Sequence, residues 1–383
     1  MRPSARVPSR IGGLVPRLES NVVPHLSAEP FRLAINGYGR IGRCFLRALH
    51  ESGLLAQLRV VAINEPADLQ SIAYLTRFDS THGRFPARIE TGDESLLIND
   101  TSIAVSHAST PEGVDWSARE LDLLVECSGR YGSRSDLNRF VAAGCPQVLL
   151  SHPGNSAEDV DATVVYGVNH EILHGDEILV SNASCTTNAA VPVLDLINRE
   201  FGLEQVLLTT LHSVMNDQPL IDGYHHADLR RTRSAMQSII PVATGLARGV
   251  ERLLPELQGR VHAKAIRVPT HNVSAIDMVL SLRSDVTSAH LNALFEAAAS
   301  GPYAGLIGYS EEPHASIDFN HETHSAIVDG GQTSMIGARL ANLLVWFDNE
   351  WGFANRMVDV ARYWLTTRDA PADPRISRLR TAR

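Results

Sequence analysis

The stretch that most restricts the fold is Gly37-Tyr38-Gly39-Arg40-Ile41-Gly42. An apolar run from Phe31 to Asn36 leads into it and reads as a strand. Ile41, Phe45, Leu46 and Leu49 follow at helical spacing, up to Ser52-Gly53, which ends the helix. A second run, Arg59 to Asn64, stops at Glu65. A lone G-x-G-x-x-G says little. Between a strand and a helix, with an acid closing the next strand, it specifies a parallel α/β unit that binds a dinucleotide. Gly37 allows the tight turn, Gly39 lets the backbone approach a pyrophosphate, and Gly42 lets helix and strand pack closely. Arg40 and Ile41 open the helix whose N-terminus takes the pyrophosphate charge. Glu65 is expected to accept hydrogen bonds from the adenosine ribose and to repel a 2′-phosphate, which favours NAD over NADP. The alternative is a tight turn with no ligand.

The unit continues in the same style. Residues 86 to 106 carry turn signals and read as small inserted antiparallel strands. Leu121 to Glu126 is a buried strand that ends in Cys127-Ser128-Gly129, and Val148 to Leu150 ends in Ser151-His152-Pro153-Gly154. Ligands bind at the strand ends of such sheets. Ser128 and Ser151 are therefore candidates for cofactor contact, or simply turn serines.

A second landmark is Ser181-Asn182-Ala183-Ser184-Cys185-Thr186-Thr187-Asn188. A short strand leads in and a helix leads out, with Pro192 expected to make its first two turns irregular. Cys185 then sits at a helix N-terminus, where a thiol is expected to have a lowered pKa and greater nucleophilicity. It can equally be read as a core cysteine. Val206 to His212 is a strand with His212 at its end, either a structural histidine or the base for Cys185. Asp228 to Arg233 is rich in Arg, and reads as a solvated loop or a phosphate clamp. Thr244-Gly245 opens another helix able to take an anion. The strands after residue 260 run on without regular intervening helices, which argues for a mixed, largely antiparallel sheet.

At 383 residues the chain has room for two domains. The fold class is α/β: a Rossmann unit over residues 31–182, then an α+β catalytic domain over 183–349. A C-terminal helix, 350–366, is expected to return to the first domain. Residues 1–30 and 369–383 are expected to be unstructured extensions. A net charge of −9 disfavours nucleic-acid or anionic-membrane partners. Four cysteines without a Cys-x-x-Cys pair point to a reducing, cytoplasmic setting. The pairs His225-His226 and His321…His324 lack a wider ligand set, so no metal is expected.

These motifs, together with Trp346-Phe347-Asp348-Asn349-Glu350-Trp351-Gly352, resemble the glyceraldehyde-3-phosphate dehydrogenase superfamily over roughly residues 31 to 365. Phe78 to Phe85, Ser151 to Gly154, Asp161 to Asn169 and Phe353 to Met357 are most similar to its erythrose-4-phosphate dehydrogenases. The resemblance implies NAD as cofactor, a homotetramer, Cys185 as nucleophile and His212 as base. It implies that Asn349 orients the nicotinamide carboxamide. It implies that Ser184, Thr186, Arg231, Thr244 and Gly245 form one anion site, and Arg267 another.

Two positions depart from the family. Met215 stands where the phosphorylating glyceraldehyde enzymes carry a substrate-binding threonine, and Ala189 replaces a frequent second cysteine. The implied reaction is oxidation of erythrose 4-phosphate to 4-phosphoerythronate, which would feed vitamin B6 (pyridoxal phosphate) synthesis. The alternatives are oxidation of glyceraldehyde 3-phosphate with phosphate as acyl acceptor, and an NAD-binding protein without catalysis.

Overall fold

The computed structural model describes residues 29–225 and 228–369. The expected extensions before residue 29 and after residue 369, and His226 of the His225-His226 pair, lie outside the described residues.

The N-terminal part contains β1 (Phe31–Asn36), α1 (Arg40–Glu51), β2 (Leu58–Asn64), α2 (Leu69–Arg77), β3 (Phe78–Asp79) and β4 (Gly83–Arg84). It continues with β5 (Ile89–Gly92), β6 (Ser95–Ile98), β7 (Thr101–Ser106), β8 (Leu123–Glu126), α3 (Arg134–Ala142), β9 (Val148–Leu150), β10 (Ala162–Thr163) and β11 (Leu179–Ser181). Nine of these strands form one sheet, in the order β10-β11-β9-β8-β1-β2-β7-β6-β5. The segment expected as inserted antiparallel strands forms β5, β6 and β7, which pair antiparallel in turn, and β7 also runs parallel to β2, so all three extend the Rossmann sheet. In β7, Ile103 and Val105 are buried, which weak alternation in the sequence concealed.

The second part contains α4 (Cys185–Phe201), β12 (Leu203–His212), β13 (Ile240–Val242), α5 (Leu246–Leu253), β14 (Val261–Arg267), β15 (Ser274–Leu282) and α6 (Ser288–Ala299). β16 (Ile307–Ser310), β17 (Ala326–Ile336), β18 (Leu340–Phe347) and α7 (Trp351–Asp369) complete it. Its seven-stranded sheet is mixed, in the order β13-β14-β12-β15-β18-β17-β16. β12 pairs parallel with β14 and antiparallel with β15. α4 is continuous from Cys185 to Phe201, so the irregular first turns expected from Pro192 are not found. Proline there removes one ladder bond, and the surrounding helix is buried on nearly every side, which holds it in place.

α7 begins one residue later than expected and ends three residues further on. Asp348 Oδ1 sets its start by accepting from the N–H groups of Glu350 (2.9 Å) and Trp351 (2.8 Å). The helix packs on α1 and places Trp351, Phe353, Met357, Val358, Trp364 and Leu365 in the core beneath the first sheet. A fully buried large apolar side chain contributes about 1.5–3 kcal/mol, so this one helix is a major part of that core. Among the described residues, no helix is long and apolar enough to cross a membrane.

Candidate active site

The dinucleotide cleft is built mostly from backbone. Gly37 has φ +83°, and a Cβ there would run into the backbone of Ser128. A Cβ on Gly42 would run into the Gly37 carbonyl. Both glycines are therefore required by the fold itself. Gly39 is different. A Cβ there would meet nothing within 4 Å, so the N-cap of α1 faces open space, as the approach of a pyrophosphate requires. Asn36, Glu65, Ser128, Arg130 and Tyr131 line the cleft beside it.

The side chains of Tyr38, Arg40 and Ile41 are engaged within the protein. The Tyr38 side chain is buried and its hydroxyl accepts from Thr76 Oγ1. Its N–H donates to Glu65 Oε2 at 2.8 Å, so it positions the acid. Ile41 packs against the core, which leaves only its backbone for a ligand. The Arg40 guanidinium does not face the cleft residues. It pairs with Asp79 and Glu350, tying the start of α1 to the start of α7. Against the effect of burial, the His82 N–H and Arg40 hold Asp79 down at about 2. Glu350 and His82 also lie with Cys44 in a tight group, but the Arg40 charge already satisfies the carboxylate.

Beneath the rim lies a polar network that sequence reasoning missed. Asn36 Nδ2 donates to Glu126 Oε2, and Asn64 Nδ2 donates to Asn36 Oδ1 at 2.8 Å. Ser128 donates to Glu126 Oε1 from its N–H at 2.7 Å and also from its hydroxyl. Glu126 is fully buried, and burial raises its pKa. The signal was there: β1, β2 and β8 are apolar runs that each end in a polar residue.

The candidate catalytic centre is built from side chains. Ala183, at φ +55°, turns the chain between β11 and α4. The polar residues of the octet hold that turn. Ser181 Oγ accepts from Ala183 N–H at 3.0 Å, and Asn188 Nδ2 donates to the carbonyls of Asn182 (2.7 Å) and Ser184 (3.0 Å). Ser184 is the N-cap of α4, its Oγ accepting from Thr187 N–H at 3.1 Å. Cys185 is the first helical residue and packs against both main cores. Its Sγ lies 3.7 Å from His212 Nε2 and 3.9 Å from Thr186 Oγ1.

The expected lowering of the thiol pKa is not found. Burial raises it, and this outweighs the Thr186 hydroxyl and amide and the Arg267 charge. The helix N-terminus was legible in the sequence; the burial, which comes from two distant cores, was not. His212 is pushed down to about 4, first by burial and then by Arg267. It is thus neutral at physiological pH.

Arg267 reaches His212 through sheet register. β12 and β14 are parallel, and His212 pairs directly with Arg267. Arg267 Nη1 lies 2.6 Å from His212 Nδ1, which also lies 2.8 Å from the Ser213 carbonyl. Guanidinium only donates. Nδ1 can therefore accept from Arg267 or donate to Ser213, not both. Only the second tautomer leaves the Nε2 lone pair facing Cys185.

The other anion residues are more scattered. Arg231 Nη1 pairs with Asp217 at 2.9 Å, so an anion there must compete with a carboxylate. Thr244 Oγ1 accepts from Leu246 N–H, and Gly245 is the N-cap of α5. α5 packs on α4, where a Cβ on Gly249 would lie 3.0 Å from Thr187 Oγ1. Asn349 follows β18 and accepts from two serines through Oδ1.

A dinucleotide cleft in the same chain as a partly buried cysteine facing a histidine fits an NAD-dependent dehydrogenase. Comparison with protein families agrees. The glyceraldehyde 3-phosphate dehydrogenase NAD binding domain matches residues 31–134, and the C-terminal domain of the same enzyme matches residues 184–349. Together they span well over half of the chain, which belongs to the glyceraldehyde 3-phosphate dehydrogenase family. It is an NAD-dependent oxidoreductase acting on phosphosugar aldehydes.

Proposed function

We propose that the chain oxidises D-erythrose 4-phosphate to 4-phosphoerythronate, with Cys185 as nucleophile and His212 as base. The observation that carries the chemistry is the 3.7 Å contact between Cys185 Sγ and His212 Nε2. His212 takes the thiol proton as Sγ bonds to the aldehyde carbon. The Cys185 N–H, free at the helix start, is a donor for the developing oxyanion. The glycine cleft would hold NAD, which would supply the hydride acceptor needed to oxidise the adduct on Cys185 to a thioester. Water then adds to the acyl carbon, the C–S bond breaks, and the acid is released.

Met215 supports the four-carbon substrate. It is 46% exposed and offers no hydroxyl where the glyceraldehyde enzymes place a threonine. A second reading, oxidation of glyceraldehyde 3-phosphate with inorganic phosphate as acceptor, is favoured by the hydroxyls of Ser184, Thr186 and Thr244. The test is kcat/KM for each aldehyde, with and without phosphate. A preference for erythrose 4-phosphate independent of phosphate supports the first reading; a phosphate requirement with the three-carbon aldehyde overturns it.

The anion-binding roles of Arg231 and Arg267 belong to the same proposal, as does assembly into a homotetramer. Leu220, Ile221, Tyr224, Leu229 and Ile239 are strongly exposed, which supports self-association. Light scattering tests it. The four cysteines are free, which fits the reducing cytoplasm proposed for this chain.

A further inference from the structure

Behind Asn349, two buried serines have no part in the chemistry described so far. The sheet brings them there. β15 lies antiparallel between β12 and β18, so its first residue, Ser274, sits beside the far ends of both neighbours. Ser213 directly follows β12, and Asn349 lies two residues beyond β18. Ser213 is 0% exposed, Ser274 1% and Asn349 8%.

Ser213 Oγ donates to Asn349 Oδ1 at 3.0 Å, and Ser274 Oγ donates to the same oxygen at 2.8 Å. Ser274 Oγ accepts from Ser213 N–H at 3.1 Å, which links the two serines. Among the described residues, Oδ1 is the only acceptor for either hydroxyl proton. Turning the amide over would leave two buried O–H groups without an acceptor, which is costly. The amide is therefore fixed with Oδ1 inward. Nδ2, the end with no hydrogen-bond partner among the described residues, is left as a free pair of donors. The backbone beside the pair is also held under constraint. Val273, buried and β-branched, has φ +64° immediately before Ser274.

We propose that Ser213 and Ser274 are positioning residues for the cofactor. They hold Asn349 so that Nδ2 donates to the carboxamide oxygen of the nicotinamide. A donor with fixed polarity accepts the carbonyl end of that carboxamide and rejects its amine end. It thereby selects one orientation of the ring and one face for reaction. The inference rests on the carboxamide-orienting role that the family resemblance implies for Asn349.

The test needs no turnover. Calorimetric titration of the full chain with NAD, and with ADP-ribose, which lacks the nicotinamide, is compared for wild type, Ser213→Ala, Ser274→Ala, the double variant and Asn349→Ala. The double variant is expected to weaken NAD binding roughly tenfold, with smaller losses in the single variants and no change for ADP-ribose. An equal loss of both ligands would mean that the serines merely support the fold, and would overturn the proposal. So would a double variant that binds NAD normally while Asn349→Ala does not. If Asn349→Ala itself binds NAD normally, the reading of Asn349 fails, and the role of the serines fails with it.

Discussion

The dinucleotide cleft and the proposed catalytic centre solve opposite problems. The cleft must let a large ligand approach the main chain, so it is made by leaving side chains out. Gly37 and Gly42 close the turn, and Gly39 opens the space. The catalytic centre must hold a few side-chain atoms in register, so it is made by packing residues from distant strands. His212 and Arg267 are 55 positions apart. One site is organised around a single glycine loop and is polar at its rim; the other is assembled from separate strands and is largely buried. A mutation should therefore separate binding from chemistry according to which site it touches.

Cys185→Ala should break the link most completely. Turnover should fall on the order of 10⁴-fold or more while calorimetric NAD affinity is unchanged. Residual activity near wild type would sink the nucleophile assignment. His212→Asn should lower kcat by roughly 10²–10⁴-fold, again without weakening NAD.

The glycines test the cleft from the other side. Gly37→Ala forces a Cβ into backbone at positive φ and should destabilise the fold by at least about 1–3 kcal/mol, seen as a lower Tm. Gly39→Ala meets no protein atom, so its Tm should hold while NAD affinity falls. Equal behaviour of the two variants would contradict the division of labour.

The acid limit of stability should belong to the catalytic centre. The unfolded His212 pKa is near 6.5, and the folded value is about 4. Between those values the unfolded chain binds more protons. The stabilisation is present in full above pH 6.5 and is lost as pH falls toward 4, a loss of about 3 kcal/mol. Denaturant titrations of wild type and His212→Asn across that window measure it, and the variant should show a flatter profile. The smallest expected effect is at Thr186. Thr186→Val removes a hydroxyl that lowers the Cys185 thiol pKa, and should slow alkylation by iodoacetamide at pH 8 by roughly threefold.

The same contrast explains what could be read from the chain. Gly37, Gly39 and Gly42 announce themselves because their spacing lies within one strand–turn–helix unit, even though the backbone that Gly37 must clear belongs to Ser128. Cys185 at a helix start and His212 at a strand end were legible for the same reason. The alignment of Arg267 with His212 was not, because parallel register is set by the whole sheet. Nor was the direction of the Cys185 pKa shift. The helix end is written in eight residues, whereas the burial that outweighs it comes from two cores assembled from most of the chain. Arg231 read as part of a solvated loop or a phosphate clamp, and its pairing with Asp217 was hidden because that residue lies fourteen positions away, across an irregular loop. The direction of the Tyr38 side chain was not legible either, because a side chain inside a glycine motif can still turn into the core.

The last helix carries a consequence for how the protein is made. α7 supplies two tryptophans, Trp351 and Trp364, to a core that otherwise comes from the start of the chain. Translation runs at roughly 5–20 residues per second, so β11 emerges on the order of ten seconds before α7. For that interval the nascent first domain lacks a wall of its core, and the apolar face of α1 waits for its partner. Arg40 likewise waits for Glu350. The dinucleotide fold is thus encoded early and completed late, and its stability on the ribosome depends on residues not yet synthesised.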